Sequence, residues 1–345
     1  MKQFQYLHNP APDKIGNCAE AFLEKLAQPT CIILDGHDTS RTRALVTLIH
    51  GNEPSGFKAL YHWLKSGQKP AVTTVCLIAS VQAALRAPLF SHRVLPGLRD
   101  LNRCFRAPFN GSQGELAAEL LSILREHHPE AVVDIHNTSG TGPSFGVAIF
   151  VDKKHEALVS LFTNRLVTND LRLGALMEIA EHLFPTVTIE CGGRLDDDAH
   201  ELAWEGLQRY LSTDDVLKPQ PADWGLEVFR NPARLELADN CRLKYADCPQ
   251  PGYDLTLKTD IEHYNFGQVK AGTLLGWVGP KGLEIFSSRN LQEECVLNEL
   301  ITVTKGQLKT AQDLKLFMIT NNPTIAKMDC LFYAVKDNGT GVFEF

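Results

Sequence analysis

Ile49-His50-Gly51-Asn52-Glu53-Pro54 is the stretch of the sequence that decides the fold. A run of apolar and β-branched residues, 44–49, precedes the histidine and ends there abruptly. The pattern predicts a buried strand that stops, turns on Gly51 and passes into a helix near Ser55. A histidine and a glutamate three residues apart in such a turn can both point to one position above the strand end. Since imidazole and carboxylate are ordinary zinc ligands, the stretch also predicts part of a metal site.

The composition is that of a globular protein of roughly two domains. The 345 residues are 44% hydrophobic and 22% charged, with a formal net charge of -7. Because the basic residues are scattered, we expect no nucleic-acid partner. The first residues lack an apolar signal core, and the sequence contains no run of about 18 apolar residues. We therefore expect no membrane partner. Nine cysteines without CxxC spacing indicate reduced thiols and a cytoplasmic location.

Apolar periodicity predicts alternating strands and helices up to about residue 217. The predicted strands are 31–34, 44–49, 71–79, 131–135, 146–151 and 186–189. The predicted helices are 15–26, 56–64, 115–127, 155–168 and 198–211. This alternation predicts an α/β fold with a mixed, mostly parallel sheet and helices on both faces. Residues 82–111 are predicted to form a long irregular loop, which is usually functional in a compact domain.

The sequence changes character after residue 217. Residues 218–221 form a proline-containing linker candidate. Beyond it, short alternating strands are predicted at 228–230, 255–257, 274–278, 296–304 and 330–335, with turns between them. The sequence thus predicts a larger domain over 1–218 and a smaller all-β domain over 222–345.

Polar side chains stand where three of the predicted strands end. His50 and Glu53 follow the first, His136 the second and Glu190 the third. In open α/β sheets, ligands bind beyond the carboxyl ends of the strands. We therefore expect His50, Glu53 and His136 to bind one zinc ion, while Glu190 acts as the general base. Asp134 leaves the same strand face as His136 and is a candidate to orient it.

The long loop contains Asp100-Leu101-Asn102-Arg103-Cys104-Phe105. Arg103 offers a planar fork for a substrate carboxylate, and Asn102 adds donors beside it. Arg86, Arg93 and Arg99 are all candidates to polarise a carbonyl group. Taken singly, each of these residues has an ordinary structural role, so the prediction depends on their shared placement.

Four pieces together resemble the succinylglutamate desuccinylase/aspartoacylase family of zinc hydrolases. The pieces are 50–53, 100–105, 134–139 and 189–192, in the family's order. The resemblance implies one zinc ion per chain on His50, Glu53 and His136, with Glu190 as the catalytic acid/base. It implies that Asn102 and Arg103 bind a substrate carboxylate. The family uses an arginine shortly before the second piece to polarise the carbonyl. Arg93 and Arg99 both precede that piece here, and we favour Arg93.

Three hypotheses follow for the activity. The first is a zinc-dependent deacylase that cleaves the amide of a small, carboxylated N-acyl amino acid. The second is a zinc metallocarboxypeptidase that acts on short peptides and needs a more open cleft. The third is a non-catalytic binding protein on the same fold, which would have no need of Glu190. We expect the β-rich domain to cover the site, which favours small substrates. The sequence leaves open the acyl group, the amino acid and whether the chain forms a homo-oligomer.

Overall fold

The computed structural model describes residues 3–138, 140–168, 173–219, 225–290, 294–328, 330–337 and 342–344. The chain divides into two compact units. The first comprises Met1–Asn137, Ser144–Leu166 and Leu171–Leu226, and the second comprises Thr138–Pro143, Val167–Asp170 and Glu227–Phe345. Gln220 and Pro221 of the predicted linker lie outside the described residues.

Strands and helices alternate up to Leu226. The strands are β1 (Gln5–His8), β2 (Thr30–Leu34), β3 (Asp38–Thr47), β4 (Val72–Ile78), β5 (Val132–Thr138), β6 (Phe145–Ala148), β7 (Arg165–Thr168) and β8 (Thr186–Gly193). The helices are α1 (Ala19–Leu26), α2 (Ser55–Ser66), α3 (Val81–Leu85), α4 (Gly111–His127), α5 (Lys153–Ser160), α6 (Leu176–Ala180) and α7 (Asp197–Ser212).

The sheet of the first unit is mixed, as the sequence predicts. Its strand order is β1-β2-β4-β3-β5-β8-β6. β3 pairs in parallel with both β4 and β5, and β1 pairs in parallel with β2. β2 with β4, and β6 with β8, are antiparallel. Because β3 and β5 are parallel neighbours, their carboxyl ends lie at the same edge of the sheet.

Helices cover both faces of this sheet, which confirms the predicted fold class. Side chains alternate along a strand, so β3 contributes to two cores. Leu45 belongs to one core with Phe22 of α1 and Trp63 of α2. Val46 belongs to the other core with Leu120 of α4.

The second unit is rich in short strands. They are β9 (Glu227–Arg230), β10 (Ala233–Leu237), β11 (Leu243–Tyr245), β12 (Leu255–Leu257), β13 (Gln268–Val269), β14 (Leu274–Val278), β15 (Phe286–Ser287), β16 (Ile301–Thr304), β17 (Gln307–Thr310), β18 (Leu314–Phe317), β19 (Phe332–Asp337) and β20 (Val342–Glu344). Two short helices, α8 (Leu297–Leu300) and α9 (Pro323–Met328), join them. β11, β12, β14, β17 and β16 form a five-stranded sheet. Within the described ranges, no helix is both long and apolar enough to cross a membrane.

Three of the predicted elements are wrong in part. Residues 155–168 were predicted as one helix, but α5 ends at Ser160 and Arg165–Thr168 forms β7. The periodicity of Leu158, Leu161 and Leu166 spans both elements, and the β-branched Val167 and Thr168 suit a strand. Residues 296–304 form α8 and then β16. The segment 82–111 is less irregular than predicted, since it contains the end of α3 and a 3-10 turn at Leu101–Arg103.

Candidate active site

The carboxyl end of β3 supports His50 through a tight turn. β3 ends at Thr47, and Leu48 takes a left-handed backbone conformation with a φ of 52°. Such a conformation is strained for leucine and persists where the surroundings fix it. The Ser80 N–H donates to the Leu48 carbonyl oxygen at 2.6 Å, and the Ser80 hydroxyl donates to that of Ile49 at 2.7 Å. His50 therefore leaves the strand end on a rigid support.

Gly51 is required because the turn passes against the backbone of α3. A Cβ at this position would collide with backbone atoms of Ala83 and Ala84. Glu53 follows two residues later, and α2 begins at Ser55. The turn on Gly51 and the helix near Ser55 are thus as the sequence predicts.

His50, Glu53 and His136 come together at the sheet edge. One ligand atom from each lies within 4.8 Å of the other two. Glu53 Oε2 lies 2.7 Å from His136 Nδ1, and Glu53 Oε1 lies 2.9 Å from His50 Nδ1. All three residues are buried. Among the described residues, His50 Nδ1 has no partner in hydrogen-bond geometry, although its surroundings exclude water.

Each histidine has a carboxylate at its outer nitrogen. His136 Nε2 lies 2.7 Å from Asp134 Oδ2, and His50 Nε2 lies 2.9 Å from Asp100 Oδ1. These contacts turn both Nδ1 atoms toward Glu53. Carboxylates commonly fix the tautomer and orientation of ligating histidines in this way. The sequence analysis named Asp134 for this position but gave Asp100 no role. A search for a second acid to match the second histidine would have found it.

Charge and burial act in opposite directions on this group. Burial alone would raise the pKa of Glu53, but His50 and His136 outweigh it and hold that pKa well below its usual range. Burial alone would lower the pKa of His136, but Asp134 and Glu53 outweigh it and hold that pKa well above its usual range. Glu53 and Asp134 thus stabilise positive charge at this position, which a bound cation would also supply.

The donor set fits a zinc ion. Two imidazole nitrogens and one carboxylate are the three protein ligands of many catalytic zinc sites. His50 Nδ1 is a further sign, because it lies 2.9 Å from Glu53 Oε1 outside hydrogen-bond geometry, and such a contact is weak unless a cation engages both atoms.

Glu190 lies beside the group on β8. The charges of His136, Glu53 and His50 all act on its carboxyl group. Burial raises the pKa of Glu190 to about 7. Its Oε2 atom is buried and accepts no hydrogen bond from any residue that the structure describes. A carboxyl group with one buried oxygen that accepts no hydrogen bond, and with a pKa raised to near neutrality, has the properties of a general base.

Glu190 and His136 lie within their strands rather than beyond them, so two predicted strand ends are wrong. β5 continues through His136 to Thr138, and β8 continues through Glu190 to Gly193. β6 explains part of the difference, because it pairs with β8 in a register that sets Phe145 opposite Glu190.

Arg93 is the loop arginine that the structure brings to this group. Its Nη1 donates to Glu53 Oε1 at 3.0 Å, and its Nε and Nη2 donate to Asp100 Oδ2 at 3.1 Å each. Arg99 instead donates to the carbonyl oxygen of Arg103 at 3.3 Å, and Arg86 ends helix α3. The positive charge of Arg93 therefore lies between two carboxylates of the site.

The catalytic-domain model of the succinylglutamate desuccinylase/aspartoacylase family matches residues 39–195. This part of the chain is similar to the catalytic domain of that family. The match contains His50, Glu53, His136 and Glu190. The family consists of hydrolases, in agreement with the class predicted from the sequence. No curated protein matches the chain.

Several solved structures share the fold, among them two that are named for the same family. The succinylglutamate desuccinylase from Vibrio parahaemolyticus is 16% identical, with a TM-score of 0.57 over 90% of this chain and 87% of that one. The succinylglutamate desuccinylase/aspartoacylase from Rhodobacter sphaeroides is 14% identical, with a TM-score of 0.56 over 86% and 85%. The product-bound ectoine utilization protein EutE (DoeB) from Ruegeria pomeroyi is 18% identical, with a TM-score of 0.51 over 84% and 87%.

The segment Leu101–Arg103 forms a 3-10 turn, and Asp100 precedes it. Asp100 accepts the Asn102 N–H at 2.8 Å and so caps the turn while it holds His50. The Asn102 side-chain oxygen accepts the Leu176 N–H at 3.0 Å, which ties the segment to the start of α6. Arg103 Nη1 donates to the Asn102 carbonyl oxygen at 2.9 Å.

Asn137 is a site residue for which the sequence analysis proposed no contact. It is 3% exposed, and its amide makes three hydrogen bonds. The side-chain oxygen accepts the Ser55 N–H at 3.0 Å, and Nδ2 donates to the Ser55 hydroxyl at 2.7 Å and to the Gly192 carbonyl oxygen at 3.0 Å. The Ser55 hydroxyl also lies 2.7 Å from His200 Nδ1. Ser139, in the same predicted piece, lies outside the described residues.

Proposed function

We propose that this protein is a zinc-dependent deacylase that hydrolyses the amide bond of a small, carboxylated N-acyl amino acid. The observation that carries the proposal is the buried group of His50, Glu53 and His136, whose ligand atoms lie within 4.8 Å of one another. Beside it lies Glu190, whose Oε2 accepts no hydrogen bond from a described residue. Family relatives named as succinylglutamate desuccinylases support the substrate class.

In this proposal His50, Glu53 and His136 hold one zinc ion per chain, while Asp100 and Asp134 keep the two imidazoles in position. A zinc ion at such a site supplies Lewis acidity, which polarises a carbonyl and makes water more acidic. Asp134 and Asp100 set the tautomer in which each Nδ1 faces Glu53.

Glu190 moves the protons. It takes a proton from the attacking water and delivers it to the leaving nitrogen as the amide breaks. The positive charge of Arg93, 3.0 Å from Glu53, stabilises negative charge that develops on the carbonyl oxygen. Asn102 and Arg103 hold the carboxylate of the substrate, since a guanidinium fork matches a planar carboxylate.

We further propose two domains, 1–218 and 222–345, with the second covering the site and limiting the substrate to small molecules. A series of N-acetyl amino acids, dipeptides and longer peptides tests this. A cleft covered in this way should lose activity steeply with length, whereas retained activity on peptides would favour the metallocarboxypeptidase alternative. We also propose a cytoplasmic location, supported by the nine free cysteines.

The deciding experiment combines metal analysis with an activity panel. Purified protein should contain about one zinc ion per chain, and a chelator should remove both zinc and activity. The panel offers acetyl-, succinyl- and formyl-amino acids beside dipeptides. Zinc with no hydrolysis of any member would favour the non-catalytic binding protein, and failure to bind zinc would remove the proposed chemistry.

A further inference from the structure

Three arginine side chains, Arg99, Arg103 and Arg106, line one cavity of about 280 Å³ in the first unit. We call it the arginine cavity. Asn110 and Gly174 also line it. The whole chain carries a net charge of -7, whereas this cavity is surrounded by three positive charges. Like charges repel at short range, and such a cluster is stable only with compensation from carboxylates, solvent or a ligand.

Two of these three arginines, Arg99 and Arg103, form no ion pair within the described ranges, although the charge of Asp100 acts on Arg103. Arg99 Nη2 donates to the carbonyl oxygen of Arg103 at 3.3 Å. Arg103 Nη1 donates to the carbonyl oxygen of Asn102 at 2.9 Å. Backbone carbonyl groups orient these guanidinium groups but do not neutralise them. Each retains further N–H donors, because a guanidinium group has five.

The third charge is compensated only weakly. Arg106 Nη2 lies 3.4 Å from Glu178 Oε2, and about half of the Arg106 side chain is exposed. Glu178 already accepts the backbone N–H groups of Leu173 at 2.7 Å and of Gly174 at 2.9 Å. The Glu178 carboxylate therefore accepts hydrogen bonds from the backbone near the start of α6 in addition to its ion pair with Arg106.

The start of α4 adds further positive character. This 17-residue helix begins at Gly111, directly after the cavity residue Asn110. The Asn110 side chain makes no capping hydrogen bond, and the first turn contains no acidic residue. The first N–H groups of a helix lack partners within the helix and favour an anion.

We propose that the arginine cavity is a binding site for an oxyanion, separate from the metal ligands. Arginine forks bind carboxylate and phosphate groups through paired hydrogen bonds, which suits either as the ligand. The anion is either a second anionic group of the substrate or a free anion from solution. The first alternative rests on the proposed function. The substrate is favoured because Arg103 belongs both to the cavity and to the segment that holds His50 through Asp100.

The first experiment uses inorganic phosphate as the probe. Binding to the zinc-loaded protein is measured by calorimetry at constant ionic strength, with chloride as the balancing salt. The double variant Arg99→Gln/Arg106→Gln should weaken phosphate binding at least tenfold. The control is Arg125→Gln, an exposed arginine in the last turn of α4, which should stay within twofold of the parent. Equal binding by the parent and the double variant, or no saturable binding by the parent, would overturn the proposal.

The second experiment identifies the source of the anion. N-acetyl-glutamate and N-acetyl-glutamine differ in one side-chain carboxylate. If the substrate supplies the anion, the double variant should lose at least tenfold in kcat/KM on the first and less than threefold on the second. If the anion is free, phosphate binding is lost while the ratio between the two substrates stays the same. A parent that hydrolyses neither these two substrates nor any other member of the acyl-amino-acid panel fails the proposed function, and the phosphate titration still decides the cavity.

Discussion

Asn137 Nδ2 donates a 3.0 Å hydrogen bond to the carbonyl oxygen of Gly192. The bond joins β5 and β8, the two strands that carry His136 and Glu190. The same side chain accepts the N–H of Ser55 at the start of α2, directly after the turn that contains Glu53. One buried amide therefore connects the three segments from which the site is built.

Replacing Asn137 with alanine should reduce both stability and turnover. The Ser55 N–H and the Gly192 carbonyl oxygen would lose their partner inside the protein, at about 1–3 kcal/mol each. Because small misplacements of catalytic groups are costly, kcat should fall by about tenfold or more. Chemical denaturation, kcat and KM are measured together. Asn298→Ala, at an exposed position on α8, serves as the control. A loss of stability with an unchanged kcat would make Asn137 purely structural.

The carboxylates behind the histidines should control metal affinity. Asp100→Asn and Asp134→Asn keep the shape but remove the charge that orients His50 and His136. Each should weaken zinc binding by about 10–100-fold, the usual effect of losing such a partner. Competition with a chromogenic chelator measures the affinity, with Asp198→Asn on the exposed start of α7 as the control. Parent-like affinity in Asp100→Asn would contradict the role that the 2.9 Å contact suggests.

The sequence was sufficient for the parts of the site that lie next to apolar strands. His50 and His136 each adjoin a buried run, and β3 and β5 are parallel neighbours, so their carboxyl ends meet at one edge. The parallel pairing of β3 and β5 then brings His50 and His136 together. A local pattern in the sequence was therefore enough to predict this long-range contact.

Contacts that depend on irregular chain could not be predicted in this way. Asp100 reaches His50 across 50 residues, and the loop between them has no periodicity that fixes its path. From the sequence, only the family resemblance favoured Arg93 over Arg86 and Arg99 as the arginine of the site. In the structure, Arg93 is distinguished by its 3.0 Å contact with Glu53. The arginine cavity is likewise a product of tertiary folding, since it combines the loop with the start of α4 and residues before α6.

Arg103→Lys should lower activity on carboxylated substrates without loss of zinc. Lysine keeps the charge but lacks the planar fork that forms two parallel hydrogen bonds with a carboxylate. KM should therefore rise by about tenfold, with zinc content near that of the parent. Steady-state kinetics and metal analysis provide both measurements, and Arg125→Lys provides the control. Parent-like kinetics in the Arg103→Lys variant would remove Arg103 from the substrate site.

Glu190→Gln should separate catalysis from metal binding. Glutamine keeps the shape of the side chain but does not accept a proton, so turnover should fall by about 10²–10⁴-fold. Zinc content should stay near that of the parent, because Glu190 is not one of the three ligands. Glu201→Gln on the exposed side of α7 is the control. Full turnover in Glu190→Gln, or zinc loss in step with activity, would contradict the assignment.

The raised pKa of Glu190 adds a test by pH. A base must be ionised to accept a proton, so kcat/KM of the parent should fall on the acid side as the carboxyl of Glu190 becomes protonated. A bound cation lowers the pKa of a nearby carboxyl, so this fall should lie below the pKa of about 7 that burial produces. The same shift predicts the stability of the chelator-treated protein. Burial favours the protonated form of the carboxyl over the ionised form. The contribution of the protonated Glu190 to the free energy of unfolding is therefore complete below the ordinary pKa of 4.5 and is lost as pH rises through about 7.

Glu190→Gln stays neutral at every pH and avoids this loss. Its free energy of unfolding should therefore exceed that of the parent by about 1–3 kcal/mol at pH 8, since one pKa unit corresponds to about 1.4 kcal/mol. The difference should vanish near pH 4, where both side chains are uncharged. Urea denaturation of the two chelator-treated proteins at both pH values measures it. A difference that is equal at both pH values, or a parent more stable than the variant at pH 8, would show that burial does not disfavour the ionised form of Glu190.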